Sequence, residues 1–168
     1  MKFDTKKIAL TSVYLAVALV IGTIETLIPP FIPLLPQFRL GLSNFVVLLA
    51  LITIGCFPTL IIVVVKSCVV PLFFSNPIMI IYSLTASCTS YIVSLILIKI
   101  KKLGLPSISA LSAIVHNLMQ LAVAAILTQS AAIFWYMPLL TVSGGVSGII
   151  IGLITALTIK KAPEKLFD

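Results

Sequence analysis

The sequence predicts an all-α integral membrane protein, a bundle of six transmembrane helices with both termini on the cytoplasmic side. Three observations predict it. The 168 residues are 61% hydrophobic and 9% charged, with a mean hydropathy of +1.29. A water-soluble core cannot use that much apolar surface, so lipid is the solvent for most of the chain. The apolar residues fall into runs of about 17 to 25, the length that crosses a bilayer's hydrocarbon. The basic residues gather in short clusters between those runs.

This composition excludes a cytosolic enzyme, a disordered tail and a secreted disulfide scaffold. Eleven Lys+Arg against four Asp+Glu, a formal charge of +7, would suit nucleic acid if they formed one patch. Their placement marks membrane topology instead, and no nucleic-acid partner is expected. Cys56, Cys68 and Cys88 sit inside apolar runs without C-x-x-C spacing or a histidine partner, and read as small buried side chains rather than metal ligands.

The first apolar run, 8–28, outlasts a signal-peptide core and lacks a small-x-small cleavage site, so it is read as the first span. Pro29, Pro30, Pro33 and Pro36 then preclude regular helix and predict an outer loop over 29–41. From Leu42 to Phe74 the chain is apolar for 33 residues, interrupted by Gly55, Pro58 and Lys66. That is too long for one crossing and slightly short for two. The positive-inside rule decides for two, over 42–56 and 58–74 with a tight turn at Gly55 to Pro58. Lys2, Lys6, Lys7, Lys99, Lys101, Lys102, Lys160, Lys161 and Lys165 then share one side, nine of the eleven positive charges. The second and third helices are expected to tilt little or to stop below the outer surface. Runs at 77–98, 106–128 and 133–159 complete a single transmembrane domain over 1–168, with Trp135 and Tyr136 anchoring the outer interface.

An ionisable side chain inside a span costs about 2.5 to 3.5 kcal/mol on insertion scales, so each needs a partner, a cavity or a ligand. Glu25 lies near the outer end of the first helix, as an interfacial carboxylate, an ion-pair partner of Arg39, or a ligand contact. Lys66 lies midway along the third helix, where snorkelling relieves it poorly, and serves a ligand anion or an internal ion pair. His116, Asn117 and Gln120 form a polar stripe on the fifth helix that either meets solute or joins helices. Asn44 opens the second helix. With Arg39, these are the candidate solute-binding residues. Gly144, Gly148 and Gly152 repeat every four residues on the sixth helix, and Ser12 with Ala16 on the first. Such spacing serves tight packing within the bundle or docking of another membrane subunit.

Catalytic machinery is not evident. Asp4 and Asp168 are the aspartates, with no D-D-x-x-D cluster to hold magnesium for diphosphate chemistry. There is no P-loop and no H-E-x-x-H, and the one histidine has no nucleophile beside it. The expectation is a binding or transport subunit without enzymatic activity, metal or cofactor, whose energy comes from a partner or an ion gradient.

Arg39-Leu40-Gly41-Leu42-Ser43-Asn44, Val115-His116-Asn117-Leu118-Met119-Gln120-Leu121, and Tyr136-Met137-Pro138-Leu139-Leu140 followed by the glycine ladder resemble the Gx transporter family. That family is also filed as heptaprenyl diphosphate synthase component I, and the resemblance spans roughly residues 8–160. Its members look like the substrate-binding S-components of energy-coupling factor (ECF) transporters. The resemblance implies a multi-pass protein of the bacterial cell membrane that binds a small vitamin-like or isoprenoid/quinone-precursor-like solute from outside. It also implies a membrane coupling protein and two cytoplasmic ATPases as partners. Residues 29–41 would lid the site, and the first helix would meet the coupling protein, with Ser12 and Ala16 where the family carries A-x-x-x-A. Two alternatives stand beside this reading. One is a non-catalytic membrane subunit of a heptaprenyl diphosphate synthase; the other is an ion-coupled carrier using Glu25 or His116 as its proton site.

Overall fold

The computed structural model describes residues 5–27, 41–100 and 102–161, and among these the chain is helical with short connections. In chain order the helices are α1 (Thr5–Leu27), α2 (Asn44–Thr53), α3 (Cys56–Phe73), α4 (Ile78–Ile98), α5 (Leu105–Thr128) and α6 (Met137–Lys161). A 3-10 helix, Ala131–Tyr136, leads into α6. The residues that interrupt the apolar pattern set the boundaries. Gly55, at φ +88°, makes the reversal between α2 and α3, a conformation that costs glycine little. Pro58 follows in the first turn of α3, where a missing N–H leaves no helical bond unmade. Pro71 near the other end of α3 and Ser75 at φ 51° close that helix, and Asn76 Oδ1 accepts from the Met79 N–H at 3.3 Å to start α4. Pro106 opens α5, and left-handed Gln129 ends it.

Cross-helix contacts fix the directions. Thr53 Oγ1 donates to Tyr14 Oη at 3.0 Å, while Gly22, two turns further along α1, packs on Val70 of α3, so α1 and α3 run parallel. Tyr91 Oη donates to the Cys56 carbonyl at 2.7 Å, which sets α4 antiparallel to α3 and pins the Gly55 turn. Ser94 Oγ donates to Ser112 Oγ at 2.8 Å between α4 and α5. Gly144 faces Ala113 and Gly152 faces Pro106 between α5 and α6. Thr5, the Gly55 turn, the α4–α5 connection and Lys161 therefore share one end of the bundle. Lys6, Lys7, Lys99, Lys102, Lys160 and Lys161 lie at that basic end.

Among the described residues, five helices are long and apolar enough to cross a membrane: Thr5–Leu27, Cys56–Phe73, Ile78–Ile98, Leu105–Thr128 and Ala131–Lys161. The chain is a multi-pass membrane protein. The second helix departs from the expected crossing over 42–56. Its ten residues rise about 15 Å, half the hydrocarbon thickness. Lys66 explains why, because its ammonium is bonded to Ser43 and Asn44 and so places the start of α2 at mid-height on α3. The Gly41–Ser43 approach consequently lies inside the bundle. Non-helical backbone at membrane depth is tolerated only where protein or a wet cavity covers it.

The core divides accordingly. Tyr14, Ala18, Val46, Leu49, Ala50, Ile54 and Ile62 knit α1, α2 and α3. A second cluster, Tyr82, Leu121, Val123, Ala124, Ile133 and Leu140, closes α4, α5 and α6 at the opposite end from the Gly55 turn. Ile8, Val13, Val17, Val20, Ile24 and Leu27 form an exposed apolar face on α1, as expected where lipid or another membrane protein is the solvent.

Candidate functional site

Between these clusters four helices and the Gly41–Ser43 approach enclose a polar chamber. Gly22 and Glu25 come from α1, Lys66 and Val70 from α3, Ser83 and Ser87 from α4, and His116 and Gln120 from α5; Gly41 and Ser43 complete the wall. Each helix contributes two residues three or four apart, one turn of one face. The chamber holds about 20 Å³, room for a single water. A solute larger than that would have to displace part of its wall.

Both charged side chains in this wall are buried, Glu25 at 6% exposure and Lys66 at 5%. A Glu25 Oε1 oxygen accepts from the Gly41 N–H. From the other charge, Lys66 Nζ donates to Ser43 Oγ at 2.9 Å and to Asn44 Oδ1 at 3.2 Å. The two charges thus hold one four-residue stretch, Gly41–Asn44. Gly41 is required there: its φ is +77°, and a Cβ would lie 2.8 Å from Asn44 Nδ2. Gly22 lets α1 approach α3 closely, since a Cβ would sit 3.1 Å from Val70 Cγ2. Gln120 is buried with its Oε1 lacking a hydrogen-bond partner among the described residues, an acceptor aimed at interior space.

Not all of the sequence-predicted site residues meet here. Glu25, Lys66, His116 and Gln120 line the chamber. Asn44 lies just below, accepting from Lys66 and lining a second small cavity, also about 20 Å³, with Ser90, Ser94, Ser109 and Ser112. Asn117 is elsewhere: its Nδ2 donates to the Leu140 carbonyl at 3.0 Å, so it joins α5 to α6. Of the two roles expected of the polar stripe, this contact is the helix-joining one, and residue 117 points about 100° around the helix from His116. Arg39 and most of the expected lid over 29–41 lie outside the described residues.

The expected docking residues also separate. Ser12 and Ala16 are exposed on α1. Gly144, Gly148 and Gly152 are covered by α5 within the chain, so the ladder is not free to receive a partner. A Cβ on Gly148 would lie 2.5 Å from Ala110 Cα and 2.8 Å from the Ser109 carbonyl oxygen. The helix backbones touch, as this spacing allows.

Ser43, Ser83 and Ser87 were not singled out by the sequence reading. The signal was present, since Ser83, Ser87, Ser90 and Ser94 recur at intervals of four, three and four along one face of α4. Among the described residues no group of three or more His, Cys, Asp or Glu is placed to hold a metal ion. Hydroxyls, amides, one carboxylate and one ammonium suit recognition of a polar solute by hydrogen bonding and charge.

The family model described as heptaprenyl diphosphate synthase component I matches residues 14–158, from within α1 to near the end of α6. No curated protein matches the chain.

Proposed function

The chain belongs to the heptaprenyl diphosphate synthase component I family, and on that premise we propose that it is a membrane-embedded solute-binding subunit of an importer in the cell membrane. The observation that carries this reading is the convergence of Glu25, Lys66, His116 and Gln120 on one buried chamber. Ionisable groups inside a membrane bundle are costly and concentrate where a solute or ion is handled. The basic end of the bundle is cytoplasmic by the positive-inside rule, so a solute reaches the chamber from the outside when the Gly41–Asn44 stretch gives way. The resemblance to S-components supplies the rest: a coupling protein, met by the exposed α1 face around Ser12 and Ala16, and two ATPases that drive release. Hydrolysis belongs to those partners, since this sequence has no P-loop.

A second reading is favoured by the family description itself. In it the chain is a non-catalytic membrane component of a heptaprenyl diphosphate synthase, and the lysines of the basic end receive a soluble catalytic partner. Affinity purification of the tagged chain from native membranes in mild detergent, with mass spectrometry of what accompanies it, separates the two. A coupling protein with two P-loop ATPases is the expected result. A D-D-x-x-D prenyl synthase recovered without ATPases would overturn the importer reading and establish the second.

A further inference from the structure

The two charges of the chamber are matched to the same stretch of chain in a complementary way. Glu25 takes a donor from it, the Gly41 N–H, and Lys66 takes two acceptors from it, Ser43 Oγ and Asn44 Oδ1. Gly41–Asn44 therefore offers a donor at one end and acceptors at the other. A molecule bearing an ammonium and a carboxylate offers the same pattern with full charges, and charged groups make stronger hydrogen bonds than neutral ones.

Solutes of other charge fit less well. Among the described residues lining the chamber, Glu25 is the carboxylate and Lys66 the ammonium. An anion would satisfy Lys66 and leave Glu25 facing a like charge, whereas a cation would do the reverse. A solute of one sign meets repulsion from the like-charged member of the pair, so the wall selects against both. A neutral solute would not repay separating either charge from its present partner. Gln120 Oε1, buried and without a hydrogen-bond partner, provides one further acceptor for an ammonium N–H. The chamber's 20 Å³ leaves no room for solute beside Gly41–Asn44, so the solute must replace that stretch.

Resting on the solute-binding reading above, we propose that the chamber selects a zwitterionic solute, its ammonium on Glu25 and its carboxylate on Lys66. Gly41–Asn44 is then an internal competitor that occupies both charges when the solute is absent. Position 41 suits the exchange, because a glycine at φ +77° moves between backbone regions without a Cβ penalty.

The test uses the full chain purified from its own host and reconstituted in nanodiscs. Native mass spectrometry identifies any retained solute. Calorimetry then measures that solute and the common α-amino acids, each beside its N-acetyl and methyl-ester derivatives. The expected result is binding of a species with both charges, weakened about tenfold or more by blocking either end and by Glu25→Gln or Lys66→Met. Ser43→Ala leaves Glu25 and Lys66 in place but weakens the competitor, so it should tighten binding several-fold. It also keeps the test informative where the charge variants fold poorly. A bound anion, cation or neutral solute would overturn the zwitterion assignment and leave solute binding standing. Unchanged or weaker binding in Ser43→Ala would overturn the competitor. No retained solute and no response to any probe would overturn the solute-binding reading together with this one.

Discussion

Asn117 on α5 occupies the space that the missing side chain of Gly144 leaves on α6. The amide Nδ2 donates to the Leu140 carbonyl at 3.0 Å, and a Cβ on Gly144 would come within 2.6 Å of that nitrogen. Gly144→Ala should push the amide off its acceptor and cost about 1 to 2 kcal/mol, the range of interhelical hydrogen bonds in membranes. Thermal unfolding of the purified protein in detergent checks it, and an unchanged midpoint would mean that Asn117 holds nothing.

One step along the ladder the obstruction is backbone rather than side chain. Gly148→Ala would set a methyl against Ala110 Cα and the Ser109 carbonyl, so α5 and α6 must separate. The expected loss is about 1 to 3 kcal/mol, in the range of overpacked cores. If the ladder instead faced a partner, the isolated subunit would keep its stability and lose only complex formation.

The opposite outcome is expected on α1. Ser12 and Ala16 are exposed there, on a helix whose apolar outer face is also exposed. Replacing both by leucine should leave the thermal midpoint of the isolated subunit within about 0.5 kcal/mol, as for surface changes generally. Capture of the coupling protein should fall sharply. Retention of full capture would move the docking surface elsewhere.

Lys66→Met strips the donor from Ser43 Oγ and Asn44 Oδ1 deep in the bundle. Unmet polar groups of this kind cost about 1 to 3 kcal/mol, and the stretch they hold should open more often. Hydrogen exchange followed by mass spectrometry should find the peptide over 41–47 exchanging about tenfold faster. Lys66→Arg, which keeps donors at that position, should recover part of the protection.

Cys56 tests the orientation. It is exposed at the Gly55 turn, on the basic end, while Cys68 and Cys88 lie within helices and are half-buried. A membrane-impermeant maleimide should label Cys56 in inside-out vesicles and spare it in right-side-out ones. Labelling from the opposite side would invert the topology drawn from the positive charges.

What the sequence by itself determined about this protein is what depends on composition along the chain. The apolar runs, the glycine and proline interruptions and the lysine clusters located the helices within a few residues and marked the chain for a membrane. They also exposed Glu25, Lys66, His116 and Gln120 as polar residues that lipid would not accept. Only the tertiary structure decided how deep α2 begins and which way each polar side chain points. Lys66 sets the first by binding Ser43 and Asn44 from another helix, a contact across 22 residues for Asn44 that no local pattern encodes. Asn117 illustrates the second. In a helix apolar nearly all round, periodicity does not distinguish the face toward a neighbour from the face toward lipid. The split between His116 in the chamber and Asn117 against α6 had to come from packing, because the Gly144 and Gly148 contacts fix the rotation of α5.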